Sequence, residues 1–142
     1  MGYRILIADD EAEIRDLLRL YLEKDGYEVL EAADGLETME RVKKEKPDLL
    51  VLDIMMPGLD GYRVLRNVRE NSNIPVIMLS AKGTNTDKIL GLDLGADDYI
   101  TKPFEPLEAV ARVNSNIRRF YSLGAGADKG KKVKELRAGD LC

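Results

Sequence analysis

Arg4-Ile5-Leu6-Ile7-Ala8-Asp9-Asp10-Glu11 sets out the chain's plan: five residues of strand character run directly into three carboxylates. Behind them Ile14, Leu17, Leu18, Tyr21 and Leu22 recur at three- and four-residue steps, the period of a helix that buries one face. Gly26 then stands where a helix C-cap is expected. The same alternation repeats along the chain. Strand runs are expected at 4–8, 28–32, 48–53, 75–79 and 98–101, and further helices at 35–45, 60–70, 84–94 and 106–121. Parallel neighbours need crossover connections, usually helices, so this order predicts a parallel sheet covered on both faces. The first, third and fourth runs are almost wholly apolar, as central parallel strands are.

The 142 residues amount to one domain, and a 44% hydrophobic content supports a real core, which excludes wholesale disorder, collagen-like repetition and coiled coil. Histidine is absent. That removes Ser/His and Cys/His couples, imidazole bases and the usual zinc sites, and leaves carboxylates, hydroxyls and lysine to carry any chemistry. The single cysteine, Cys142, allows no internal disulfide. The apolar run 5–8 is too short for a signal peptide, and Leu6 occupies the hydroxyl position that myristoylation requires. A cytoplasmic location is the expectation. Residues 123–142 carry five basic and three acidic groups, which leaves residues 1–122 at −6 of a total −4 and repulsive to DNA phosphates.

Composition divides the chain. Residues 1–122 carry the alternating pattern, 123–133 are rich in Gly and Lys and read as a flexible linker, and 134–142 regain some apolar character.

In an open parallel sheet, ligands collect beyond the carboxyl ends of the strands. Asp9, Asp10, Asp53, Ser80, Thr101 and Lys102 stand at those ends. Each has a plainer reading when taken alone. Asp10 or Glu11 serves equally as a helix N-cap, Ser80 as a turn residue and Lys102 as a solvated surface charge. Asp9 and Asp53 fit that account less well, because each directly ends an apolar strand, where an unpaired charge is costly. Three acids in one pocket repel unless a cation intervenes, and a hard divalent cation such as Mg2+ suits them. Lys102 and Ser80 would then contact phosphate oxygens. The set describes phosphoryl transfer, with Asp53 as the acceptor, Asp9, Asp10 and Asp53 on the metal, and the main-chain carbonyl of Met55 completing the ligands.

Asp9-Asp10, Val51-Leu52-Asp53-Ile54-Met55-Met56-Pro57-Gly58, Ser80-Ala81 and Tyr99-Ile100-Thr101-Lys102-Pro103-Phe104 together closely resemble the receiver domain of bacterial two-component response regulators, over residues 3 to about 121. The resemblance implies a flavodoxin-like, doubly wound (βα)5 fold with sheet order 2-1-3-4-5. It implies that a partner sensor histidine kinase phosphorylates Asp53, that Ser80 and Tyr99 form a switch pair, and that Lys102-Pro103 is a cis peptide. Tyr99 is also readable as an ordinary strand aromatic packed on a helix. Met55 and Lys82 correspond to positions that tune the lifetime of the phosphoryl group. The segment 96–104 resembles the OmpR/PhoB-type transcription-factor branch, which dimerises through its fourth helix, fifth strand and fifth helix. Its dimer positions correspond here to Lys88, Asp97, Asp98, Glu108, Arg112 and Arg119, with Ile89, Leu92 and Ala111 between them. Asn116 departs from the pattern by replacing a basic residue. The plainer reading of this face is solvated helix charge. By the same resemblance 134–142 are the truncated start of a winged-helix output domain, through which alone DNA would be bound; no membrane partner is implied.

Three functions compete. The favoured one is a phosphorylation switch controlling transcription, which catalyses only its own phosphorylation and dephosphorylation; a stand-alone receiver acting by protein contact is its variant. A phosphatase with an aspartyl phosphate intermediate would place a second Asp two residues after the nucleophile, where Met55 stands. A nucleotide or flavin binder would need a Gly-rich loop after the first strand, where the acidic pair lies.

Overall fold

The computed structural model describes residues 2–56, 61–81 and 95–122. Five strands, β1 (Arg4–Ala8), β2 (Glu28–Ala32), β3 (Leu49–Asp53), β4 (Val76–Ala81) and β5 (Asp98–Lys102), form one parallel sheet in the order β2-β1-β3-β4-β5. The helices among the described residues are α1 (Ala12–Lys24), α2 (Gly35–Glu45), α3 (Gly61–Asn71) and α4 (Pro106–Ile117), which widens into a π-helical turn at Arg118–Ser122. The doubly wound fold expected from the sequence is therefore the fold observed. The helix expected at 84–94 and the segments 123–133 and 134–142 lie outside the described residues.

Period-two alternation sorts the strand side chains into two cores. Ile5, Ile7, Leu49, Val51, Ile77 and Leu79 point to one face and pack with Leu18 and Leu22 of α1 and Val110, Val113 and Ile117 of α4. Leu6, Ala8, Leu50, Leu52, Val76 and Met78 point to the other and pack with Val64, Leu65 and Val68 of α3. Both faces of each central strand are dry, which is why their sequences read as continuous apolar runs.

The end of α1 lies one residue from the expected C-cap. Gly26, at φ +97°, donates to Glu23 O while Tyr27 N donates to Leu22 O, a left-handed closure that leaves Asp25 as the C-cap and Gly26 one residue beyond. Asp34 caps α2, its carboxylate accepting from Glu37 N at 2.8 Å. Strand limits moved more. β4 runs on through Ser80 and Ala81 because their partners Thr101 and Lys102 continue the ladder, so Ser80 is a strand residue rather than a turn residue. The 106–121 helix changes pitch after Ile117.

Candidate functional site

β1, β3 and β5 deliver their last residues to one end of the sheet. Asp9, immediately after β1, and Asp53, the last residue of β3, are both buried. Carboxylate oxygens of Asp9, Asp10 and Asp53 all lie within 4.8 Å of one another, Asp10 being the exposed member. Lys102, at the end of β5, places Nζ 3.0 Å from Asp9 Oδ2 and 3.4 Å from both Asp53 Oδ2 and Glu11 Oε1. Its side chain is only 17% exposed, so the reading as a solvated lysine does not hold. The peptide Lys102-Pro103 is cis, as the resemblance implied.

Backbone donors hold the carboxylates by their other oxygens. Glu11 N donates to Asp9 Oδ1 at 2.9 Å and Met55 N to Asp53 Oδ1 at 3.1 Å. Glu11, not Asp10, occupies the N-cap position of α1, and its side chain makes no capping bond, so neither acid is a conventional cap. Burial first, and then the neighbouring Asp9 charge, push the Asp53 carboxyl up to about 6, against the opposing pull of Lys102 and Met55 N–H. For Lys102 burial acts downward, but Asp9, Asp53 and Glu11 outweigh it and hold the ammonium above its ordinary value.

Two buried polar atoms, Asp9 Oδ2 and Ser80 Oγ, have no hydrogen-bond partner among the described residues. Asp9 Oδ2 touches Lys102 only as an ion pair out of hydrogen-bond alignment. Orphaned groups at this depth are rare and call for a ligand. A cluster of three carboxylate groups suits a hard divalent cation, and an unpaired buried hydroxyl such as that of Ser80 suits an anionic oxygen. The residues present thus fit the metal expected from the sequence.

Tyr99 is buried in the core cluster on the α3 side, with its hydroxyl 3.3 Å from Tyr62 Oη. Met55 exposes 70% of its surface. On the expected dimer face, Asp97 receives Arg69 at 2.7 Å and Val76 N at 2.8 Å, and Asp98 receives Arg112 at 2.6 Å. Glu108 lies 3.4 Å from Arg112, and Ala111 is exposed. Asn116, expected at a surface charge position, is fully buried and donates to Asp98 and Arg112 O while accepting from Arg119. Lys88, Ile89, Leu92 and Lys82 lie outside the described residues.

Three contributors escaped the sequence reading. Glu11, considered there only as a cap, shares Lys102. Arg15 donates to the main-chain oxygen of Asp9 at 2.7 Å; a cation one turn into a helix that follows an acidic pair was the available signal. Gly61, at the start of α3, donates to Ile54 O, and a Cβ there would lie 2.6 Å from Asp53 O and Ile54 Cα.

Comparison with known proteins bears on the family of this fold. Residues 5–114 match the family model described as the response regulator receiver domain. Among solved structures, a protein from Chloroflexus aurantiacus assigned as a response regulator is 40% identical with TM-score 0.80, over 84% of this chain and 100% of its own. The receiver domain of the Francisella response regulator 1452 is 40% identical with TM-score 0.79, over 82% and 98%. The BeF3-activated N-terminal receiver domain of Klebsiella pneumoniae RstA is 35% identical with TM-score 0.77, over 81% and 98%.

Proposed function

The chain belongs to the response regulator receiver domain family, and on that premise we propose that Asp53 accepts a phosphoryl group from a partner histidine kinase in a Mg2+-dependent reaction. Phosphorylation on aspartate, a sensor kinase partner and Mg2+ at an acidic pocket are general to this family. The observation that carries the assignment to Asp53 is its buried place at the end of β3, among the carboxylates of Asp9 and Asp10 and within 3.4 Å of the Lys102 ammonium.

Asp9, Asp10 and Asp53, with the Met55 carbonyl, would hold the cation. When bound, it supplies positive charge that lets a dianionic phosphoryl group approach three acids. The protein's own part is positioning. An Asp53 oxygen attacks phosphorus, the bond from phosphorus to the donor nitrogen breaks, and that nitrogen keeps the electron pair. Met55 N–H orients the Asp53 carboxylate through Oδ1. Lys102 turns from Asp9 and Asp53 to a phosphoryl oxygen, and Ser80 Oγ donates to another, which would give the unpaired Ser80 hydroxyl a partner.

Downstream of that step, Ser80 and Tyr99 act as the switch pair, and Asp97, Asp98, Glu108, Ala111, Arg112 and Arg119, with the corresponding positions Lys88, Ile89 and Leu92, serve a homodimer as in the OmpR/PhoB-type branch. Residues 123–133 link the receiver to a DNA-binding output domain beginning in 134–142, and no external substrate is turned over. The exposed Met55 thioether offers no general acid for a phosphatase. Incubation with acetyl phosphate and Mg2+ should add one phosphoryl mass, localised to Asp53 and absent from Asp53→Asn. Modification elsewhere, or none, refutes the assignment.

A further inference from the structure

We infer that Arg15 is a positioning residue for the acidic pocket, holding the peptide between Asp9 and Asp10 so that their carboxylates stay together with that of Asp53. The inference deepens the metal reading above and rests on it. Asp9 is gripped on both sides of its Cα: its N–H donates to Ala32 O of β2 at 3.1 Å, and its C=O accepts from Arg15 Nη1 at 2.7 Å. That carbonyl belongs to the peptide joining the two acids, so rotating it would move Asp9 and Asp10 relative to each other.

Arg15 is itself fixed. Its Nε donates to Glu31 Oε1 at 2.9 Å, and Glu31 is held again by Arg19 at 2.6 Å. Glu31 sits on β2 in register with Ile7 of β1. The side chains of Arg15 and Glu31 are only 18% and 22% exposed, which limits solvent competition for the fork. A continuous path therefore runs from β2 through Glu31 and Arg15 to the main chain of the pocket. Arg41 provides the comparison: it pairs with Glu37 and Glu45 along α2 and, among the described residues, bonds neither Glu31 nor any of the three acids.

Isothermal titration of Mg2+ into the 142-residue chain tests the inference, with thermal melts reporting on folding. Groups that orient metal ligands through hydrogen bonds are worth about tenfold or more in affinity, so Arg15→Ala should weaken Mg2+ binding about tenfold and Arg41→Ala by less than about twofold. Unchanged affinity in Arg15→Ala, or equal weakening in Arg41→Ala, overturns the positioning role. Should Arg15→Ala not fold, Arg15→Lys decides, because one nitrogen cannot bridge Asp9 O and Glu31; affinity equal to wild type would overturn the inference. Failure of the unmutated chain to take up Mg2+ is a different result. It removes the metal reading itself, and this inference with it.

Discussion

Asp53 is a residue placed against its own preference for water. Burial and the Asp9 charge raise it to about 6 from 3.8, so it binds a proton more tightly in the folded chain than in the unfolded one. Such an acid contributes its full stabilisation below its unfolded range near 4 and loses it as pH rises through about 6. Two pKa units correspond to about 3 kcal/mol. Without divalent cations, Asp53→Asn should therefore be more stable than wild type at pH 8 by about 2–3 kcal/mol, with the gap closing toward pH 4. Urea unfolding at both pH values checks this, and a gap independent of pH would contradict it. Lys102 opposes the same penalty from the other side. Its pull on Asp9 and Asp53 explains how two buried acids coexist at all.

At the scale of elements, the site depends on how α3 meets β3. The helix begins at Gly61 with its N–H on Ile54 O, so close that only a missing side chain fits; the obstructing atoms are main chain and cannot swing away. Gly61→Ala should cost about 1–3 kcal/mol through overpacking and, by pushing the end of β3, slow acetyl phosphate labelling of Asp53. Melting temperature and labelling rate measure the two effects separately. From the sequence, Gly61 is merely a helix-start residue, because the clash belongs to a partner strand. The closure of α1 at Gly26 is the opposite case, legible beforehand since every group in it lies within six residues.

Across the whole molecule, the acidic pocket and the far end of the sheet are held by different contacts. Tyr121 donates to Asp48 O at 2.8 Å and packs its ring 5.3 Å from that of Tyr3, below the first residue of β3, while Asp53 closes the other end of the same strand about 16 Å away. Tyr121→Phe should lower stability by about 1 kcal/mol and leave the labelling rate of Asp53 unchanged. Denaturant melts and mass spectrometry read both, and slower labelling would show the two ends coupled. The alternation of dry runs with amphipathic segments, and the acids ending two of those runs, were decided by the sequence alone, because periodicity and strand-end chemistry are local properties of the chain. Ser80 inside a strand, Asn116 beneath its arginines, Lys102 nearer Asp9 than Asp53, and Arg15 on the Asp9 peptide were decided only by tertiary structure. Those facts depend on which strands become neighbours and in what register, and contacts between residues 6 to 93 apart leave no periodic trace in the residues that make them.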